Sequence, residues 1–324
     1  MKNTALSGRQ GFRPAGVTPG APIAVFPVRR FDARVALPMK MLPASYLHGL
    51  TVEPRNNRLL GALPVGDLQR WRPHLELVNM PAGTSLCRGG EHPNHVYFPT
   101  TASVSMLHTT SAGDSVEVVA IGSEGVVGIP VIMGGGFTLG DAVVRTGGHG
   151  FRLHSRWMQS EFHDCPAVMK LLLRYTQALM NHTAQAALCN KHHSLEQRLC
   201  RCLLGSLDGV RGASLNLTHE GLSGMLGVRR EGVTCSALKL QRAGMIDYTR
   251  GRVAVIDRRA LEALSCECYA VVKHEYDRFL PGSSTWSGAP PPNFVSPRAV
   301  PPLERLVPRI SRRHSVHASA AAPF

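Results

Sequence analysis

The chain has 324 residues, 44% of them hydrophobic, which is enough for two ordinary domains with apolar cores. Its net charge is +14, but residues 1–55 hold eight basic and two acidic residues, and residues 281–324 hold five and one. Because the charge is concentrated at the ends, it is weak evidence for nucleic-acid binding. No apolar run is long enough to cross a bilayer and no secretory signal is visible, so the sequence predicts a cytoplasmic protein whose eight cysteines are reduced.

The two ends of the chain are rich in proline, glycine and arginine and show no sustained periodicity. They bury too little apolar surface to offset the entropy of ordering the chain. We therefore predict a disordered basic tail over residues 1–56 and a C-terminal extension over 265–324 that is disordered after about residue 281.

Residues 57–163 read as a series of short β-strands. "HVYFP", "ASVSMLHTT", "DSVEVVAIG" and "DAVVRTGGHGFRLH" combine partial alternation with β-favouring residues, and Gly, Asn, Pro and Asp separate them. The glycine-framed segment 122–136 interrupts the strands with a turn and about one turn of helix. Strands at this spacing predict a β-sandwich or β-roll.

Residues 164–192 change to a helical period. Asp164 is a candidate N-cap, with Pro166 in the first turn. Apolar residues then recur at alternating spacings of four and three, which is typical of a helix that pairs with another helix. This seam predicts pairing between two copies of the chain, and the alternative is a long helix packed on its own β-domain. The seam residues are Val168, Leu172, Tyr175, Leu179, His182 and Ala186.

Residues 193–264 contain the stretch "LTHEGLSGMLGVRREGVTCSALKLQRAGMI". Thr218 can cap a first short helix, and Gly227 permits a sharp turn into a second helix. "MIDYTRGRVAVID" then predicts a two-stranded wing that turns at Arg250-Gly251, and Asp257 can cap a closing helix. Two short helices at a tight turn followed by a wing form a winged helix-turn-helix domain.

The second helix opens with charges that no core requires. An arginine at position 230 can bind guanine O6 and N7, and Glu231 can accept from a cytosine amino group. The predicted base-reading residues are Arg230, Glu231, Thr234 and Cys235. The predicted phosphate contacts are Thr218, His219, Arg229, Arg250 and Arg252. The alternative is a surface helix whose charges are merely solvated.

The order of β-roll, long helix and winged helix-turn-helix resembles the Crp/Fnr family of bacterial transcription regulators over roughly residues 57–270. "GVRRE" looks like the family's recognition-helix opening, and "NRLLGALP" and "SLEQRLCRCLL" are also similar to family members. The resemblance implies an α+β fold with a cyclic-nucleotide-binding-like roll and a homodimer that binds a two-fold site on double-stranded DNA. It also implies RNA polymerase as a partner. A competing hypothesis is a degenerate scaffold that acts through protein contacts.

The resemblance also implies a ligand pocket in the roll. Family members that bind cyclic nucleotides hold the phosphate between a Gly-Glu and an Arg-Ser or Arg-Thr. At the second position this sequence has Gly140 and Asp141, and Asp141 would repel a phosphate. We therefore expect an effector other than cyclic AMP, of unknown identity. The predicted pocket residues are Gly122, Glu124, Gly125, Asp141 and Arg145.

The sequence offers candidate metal and redox ligands but no catalytic motif. Residues 1–86 contain no cysteine, which excludes the N-terminal iron–sulfur cluster of some family members. Cys189, His192 and His193 lie three and four residues apart on one helical face, and "CECY" at 266–269 adds two thiols. The main prediction is nevertheless no metal and no required cofactor, with a redox- or metal-sensing regulator as the alternative. No catalytic motif is present, so we predict that the chain is not an enzyme.

Overall fold

The computed structural model describes residues 52–111, 115–209 and 214–280. Most of the sequence predicted to be disordered lies outside the described residues. This applies to residues 1–51 of the predicted tail 1–56 and to residues 281–324 of the predicted extension. Across the ranges that are described, no helix is long and apolar enough to span a membrane.

The N-terminal part is a β-roll made of two antiparallel sheets. Its strands are β1 (Glu76–Met80), β2 (Ser85–Cys87), β3 (His95–Pro99), β4 (Ser103–Thr109), β5 (Ser115–Ile121), β6 (Asp141–Thr146) and β7 (Gly148–His154). One sheet has the order β1-β7-β3 and the other the order β2-β6-β4-β5. Val78 and Tyr97 of the first sheet pack with Val104 and Val144 of the second. The predicted α+β fold with an N-terminal β-rich domain is therefore confirmed.

Short helices complete the roll. They are α1 (Arg58–Gly61), α2 (Val65–Trp71), α3 (Ile129–Ile132) and α4 (Ser155–Asp164). The helix α3 is the single turn predicted within 122–136. The helices α1, α2 and α4 contribute Leu60, Trp71 and Met158 to the core, where each is almost fully buried.

The long helix α5 spans Pro166–His192, and its N-cap is Cys165. The prediction that Asp164 caps this helix is wrong. Residue 164 is the last residue of α4, and its carboxylate accepts a hydrogen bond from the Ser160 hydroxyl at 2.8 Å. Pro166 does occupy the first turn, as predicted.

The predicted pairing stripe of α5 faces its own chain. Val168, Leu172 and Tyr175 are at most 1% exposed and belong to the same core as Trp71 and Phe98. The residues on this inward side are Val168, Leu172, Tyr175, Leu179, His182 and Ala186, all buried or half-buried. The prediction that this stripe is a seam between two copies is wrong, because the roll and a helix near the C-terminal end of the described chain already cover it. The alternative, a long helix packed on its own β-domain, describes this face.

The opposite side of α5 is open and apolar. Met169, Leu173, Met180 and Leu188 are 37%, 45%, 67% and 45% exposed, and Ala184 is also exposed. At 3.6 residues per turn these side chains lie roughly 100–200° around the helix from the centre of the buried stripe. We call these five residues the open face of α5.

The winged helix-turn-helix domain follows α5. Its elements are α6 (Leu195–Asp208), β8 (Ser214–Asn216), α7 (His219–Leu226), α8 (Arg230–Arg242), β9 (Ile246–Thr249), β10 (Arg252–Val255) and α9 (Arg258–Leu264). Ser194 begins the domain by capping α6 reciprocally with Gln197, which separates α6 from α5. The three strands form one sheet in the order β8-β10-β9, and the helices share a single apolar core.

A last helix, α10 (Cys268–Phe279), returns from the winged domain to pack along α5. Tyr276 is 6% exposed and joins the core of the roll. Its hydroxyl lies 3.3 Å from Nδ1 of His182, and Arg58 forms an ion pair with Asp277 at 2.8 Å. No helix was predicted within the extension 265–324, so α10 is known only from the structure.

Candidate nucleic-acid interface

The turn between α7 and α8 has the geometry that its sequence predicts. The Thr218 hydroxyl accepts a hydrogen bond from the Gly221 backbone amide at 3.0 Å and so caps α7. Gly227 ends α7 with a φ of +61°, in the left-handed region that favours glycine. Val233 and Leu240 of α8 are at most 1% exposed in the domain core. One side of α8 is thus fixed inward, which turns the other side to solvent.

The outward side of α8 begins with three exposed charged residues, Arg229, Arg230 and Glu231. Arg229 is the N-cap residue of α8, and its side chain makes no capping hydrogen bond to the helix. Cys235 is also exposed, one turn further along. A helix N-terminus with unpaired amides and cationic side chains is suited to a polyanion.

His219 and Thr234, both predicted to contact DNA, are joined to each other. The His219 ring stacks on Tyr248 with centroids 4.2 Å apart, and its Nδ1 lies 3.0 Å from the Thr234 hydroxyl. Burial, with a smaller contribution from Arg230, lowers the pKa of His219, which favours the neutral ring at pH 7. The structure therefore makes His219 a brace between α7, α8 and the wing, and its phosphate contact stays a prediction. Thr234 is half-buried and donates to the Arg230 carbonyl at 3.0 Å.

The wing presents its arginines at the surface. Arg250 and Gly251 form the predicted turn with φ values of +49° and +81°, and Arg250 is exposed. Arg252 is also exposed, and one of its terminal nitrogens donates to the Ser214 hydroxyl at 3.0 Å. At the wing tip, a Cβ on Gly251 would lie 3.3 Å from the Thr218 side chain, so the wing turn lies next to the N-terminus of α7.

The helix-turn-helix rests against the roll. The missing Cβ of Gly227 would lie 3.4 Å from the Val116 side chain of β5. The Leu226 carbonyl, at the same turn, accepts a hydrogen bond from Arg198 of α6. The turn that positions α8 is therefore in direct contact with a strand of the roll.

A cavity of about 330 Å³ lies between the roll, α5, α6 and α10. Of the predicted pocket residues, Glu124 and Arg145 line it. Arg145 is paired with Glu117 at 3.2 Å, and both side chains are about 10% exposed. The Glu124 carboxylate accepts from the Gly122 amide at 2.8 Å, and burial raises its pKa. The cavity therefore combines buried charges of both signs.

The other predicted pocket residues do not line this cavity. Asp141 accepts a hydrogen bond from the Gly89 amide at 2.8 Å and lies outside the lining, so it is not placed to repel a phosphate there. The expectation of an effector other than cyclic AMP stays a prediction. Gly122 contributes only its amide to Glu124, and a Cβ on Gly125 would lie 2.2 Å from the Tyr175 hydroxyl. Gly125 thus lets α5 approach the roll closely.

A separate group of metal-ligating side chains lies where α5 ends and α10 begins. Its three sulfur atoms and one imidazole nitrogen all lie within 4.8 Å of one another. We call this group the thiol–imidazole cluster; it consists of Cys189, His193, Cys266 and Cys268. His192, which the sequence analysis grouped with Cys189, is exposed and outside the cluster, so that grouping is corrected. The helical spacing identified Cys189 and His193, but nothing local to "CECY" shows that it folds back onto them.

Comparison with known proteins identifies the C-terminal part of the chain. Residues 197–264 match the family described as the Crp-like helix-turn-helix domain. No curated protein sequence matches the chain significantly. The fold is similar to that of a putative Crp/Fnr transcriptional regulator from Eubacterium rectale, with a TM-score of 0.51 and 16% identity over 65% of this chain and 98% of that one. It is also similar to FixK2 from Bradyrhizobium japonicum, with a TM-score of 0.52 and 15% identity over 59% and 98%.

Proposed function

We propose that the chain, which combines a Crp-like helix-turn-helix domain with the fold of Crp/Fnr regulators, is a transcription regulator of that type and binds a two-fold DNA operator as a homodimer. DNA-binding regulators of this type are not enzymes, as the sequence predicts. The observation that carries the proposal is the exposed Arg230–Glu231 pair at the start of a helix whose opposite side is locked in the core.

We place α8 in the major groove, which admits one α-helix. Its N-terminal residues then reach the base edges, with Arg230 donating two hydrogen bonds to guanine and Glu231 accepting one from cytosine. Cys235 lies one turn along the same exposed side. Thr234 is held by His219 and Arg230, so it would touch bases through its methyl group.

The phosphate contacts surround this helix. We assign them to Arg229 at the start of α8, Arg250 and Arg252 on the wing, and the N-terminus of α7 at Thr218. The Thr218 hydroxyl is already used as a cap, so a phosphate there would meet the backbone amides and the positive end of the helix. These contacts would fix the orientation of the domain without reading sequence.

The dimer would form through the open face of α5. Its five residues fall within roughly 100° of one another around a helix of 3.6 residues per turn, which is the width of an apolar stripe that packs against another element. A second copy of the same helix would bury Leu173 and Met180 and bring two recognition helices to one side. Half-sites would then lie about one helical turn of DNA apart.

Sensing is the third part of the proposal. The cavity between the roll, α5, α6 and α10 has the volume of a small-molecule site, and the roll touches the helix-turn-helix at β5. A ligand that binds one arrangement of the two domains more tightly would shift the population toward it. The effector is unidentified; a phosphate there would have to displace Glu117 from Arg145. A cytoplasmic location and contact with RNA polymerase stay predictions.

The experiment is selection of bound sequences from a random DNA pool at fixed salt, because phosphate contacts make affinity salt-dependent. Wild type is run beside Arg230→Ala, Glu231→Ala and the control Arg259→Ala, which removes an exposed arginine from α9 instead. We expect a two-fold motif from wild type and the control. Each α8 variant should relax the motif at symmetric positions, by about 1–3 kcal/mol per lost contact.

An absence of enrichment, with all four proteins binding alike, would contradict base reading by α8. The dimer is tested separately by sedimentation of Leu173→Glu beside Arg174→Glu, which places the same charge on a neighbouring exposed position outside the open face. We expect monomers from the first variant and dimers from the second. Dimers from both would exclude the open face as the interface.

A further inference from the structure

The thiol–imidazole cluster joins two segments that are distant in sequence. Cys189 and His193 lie at the C-terminal end of α5, and Cys266 and Cys268 lie just after α9, at the start of α10. The whole winged helix-turn-helix domain, residues 194–265, lies between the two pairs. The three cysteines are buried, with exposures of 0%, 3% and 0%, and they form a small core of their own.

The distances in the cluster fit one tetrahedral metal ion. Sγ of Cys189 lies 3.5 Å from Sγ of Cys266, and Sγ of Cys268 lies 3.4 Å from Nδ1 of His193. Zinc–sulfur bonds of ~2.3 Å and zinc–nitrogen bonds of ~2.0 Å at tetrahedral angles place neighbouring ligand atoms ~3.5–3.8 Å apart. The Cys189–Cys266 separation also exceeds the ~2.05 Å of a disulfide bond.

The surrounding residues hold the ligand atoms in the orientation that a metal requires. Nε2 of His193 lies 3.3 Å from the Glu267 carboxylate, which leaves Nδ1 directed at the sulfurs. Metal-binding histidines commonly pair their second nitrogen with a carboxylate in this way. The Gln185 amide donates to Sγ of Cys268 at 3.0 Å, as thiolate ligands usually accept hydrogen bonds.

The charge around the cluster also fits a metal thiolate. A zinc ion with three thiolates and one neutral imidazole carries a net charge of −1, which needs a cation nearby in a buried setting. Arg201 of α6 interacts electrostatically with Cys189, and its buried Nε has no hydrogen-bond partner among the residues that the structure describes. If the three cysteines were only packed together as uncharged thiols, they would offer the Arg201 guanidinium no negative charge.

We propose that the thiol–imidazole cluster binds one Zn²⁺ ion and thereby clamps both ends of the DNA-binding domain to the end of α5. Binding converts three thiols to thiolates, and the three protons pass to solvent. The ion fixes the angle at which the domain leaves α5 and anchors the start of α10. This site does not depend on the proposed DNA contacts, so its test is independent of theirs.

The test begins with metal analysis of the full-length protein purified under reducing conditions, followed by removal of metal and titration with Co²⁺. We expect one zinc per chain. Co²⁺ should saturate at one equivalent, with the strong visible and charge-transfer absorption of a tetrahedral thiolate site. This measurement needs no variant, so misfolding of a variant leaves it intact.

Variants then assign the ligands. His193→Ala and Cys266→Ser should lose the bound zinc and the thiolate absorption, whereas His192→Ala and Cys235→Ser, which change neighbouring or exposed residues of the same types, should keep both. Glu267→Gln should keep the stoichiometry and weaken zinc affinity about 10-fold to 100-fold, because it only orients His193.

Three results would overturn the proposal. One is a metal-free protein whose Co²⁺ spectrum is the weak absorption of an octahedral aqua-type site. Another is unchanged metal content in Cys266→Ser. The third is a Cys189–Cys266 disulfide in the reduced preparation, seen as a loss of two hydrogens by mass spectrometry, which would make the cluster a thiol pair instead.

Discussion

The DNA-binding surface and the junction of the roll with α5 and α10 are built in opposite ways. On α8 and the wing, the charged residues assigned to DNA are exposed side chains of one stretch of sequence, and the core of the domain does not include them. At the junction, the cavity and the thiol–imidazole cluster are each built from segments that are distant in sequence. Substitutions on the DNA-binding surface should therefore change DNA binding without changing stability. Substitutions at the junction should change both.

The largest expected effect is at the junction. Tyr276→Ala removes a ring that is 6% exposed in the core of the roll, although the residue lies beyond the winged domain in sequence. We expect a loss of about 3–5 kcal/mol in the unfolding free energy of the roll. Urea unfolding monitored by tryptophan fluorescence measures this loss, since Trp71 belongs to the same core.

Tyr276→Phe is the matched control, because it keeps the ring and removes only the hydroxyl that faces His182 at 3.3 Å. It should cost about 1 kcal/mol or less, as expected for one weak hydrogen bond. If Tyr276→Ala were as mild as Tyr276→Phe, α10 would not be part of the core, and the contrast between the two regions would fail.

The next effect is on the DNA surface, where stability should not change. Arg230→Lys keeps the charge but loses the planar fork that binds guanine through two hydrogen bonds. We expect discrimination at that base to fall by about 1–3 kcal/mol while the unfolding free energy stays within about 0.5 kcal/mol of wild type. Competition binding with operator variants and urea unfolding measure the two quantities. A large loss of stability would show that the side chain supports the domain.

The third effect is a pH dependence at the junction. Burial, with help from Arg201, lowers the pKa of His182 to about 4 from its ordinary value of 6.5, so the folded protein holds this ring neutral between Arg201 and Tyr276. Its contribution to stability is complete above pH 6.5 and is lost as the pH falls from 6.5 toward 4, where the unfolded chain binds the proton first. At pH 5 the loss relative to pH 7 is about 2 kcal/mol.

His182→Gln removes the titrating ring, so the difference in unfolding free energy between wild type and variant should shrink by that amount between pH 7 and pH 5. Release of metal from the cluster at low pH affects both proteins and cancels in the difference. A difference that does not change with pH would show that His182 is not held neutral in the folded protein.

The same contrast explains what the sequence could predict. The α7–α8 turn, the Arg250-Gly251 turn and the inward side of α8 follow from local propensity and periodicity, and all are confirmed. The spacing that gave the α5 seam identified an apolar stripe correctly, but periodicity does not say what covers a stripe. Here the roll and α10 cover it, and α10 lies about a hundred residues further along. The sequence named the residues of the cluster as candidates, but not that they come together, since His193 and Cys266 meet only through tertiary folding.

The smallest effect sharpens the description of the DNA surface itself. Arg250 stands at the wing tip, exposed, and we assign it to a phosphate. Arg250→Ala should weaken binding about equally for all DNA sequences and reduce the slope of log affinity against log salt by about 1 per lost contact. Arg230→Ala should instead change sequence preference. Salt titrations with specific and scrambled duplexes separate the two, because a phosphate contact shifts both duplexes together. If Arg250→Ala altered the selected motif instead, the wing would read bases in an adjacent groove, and the division between positioning and reading residues would have to be redrawn.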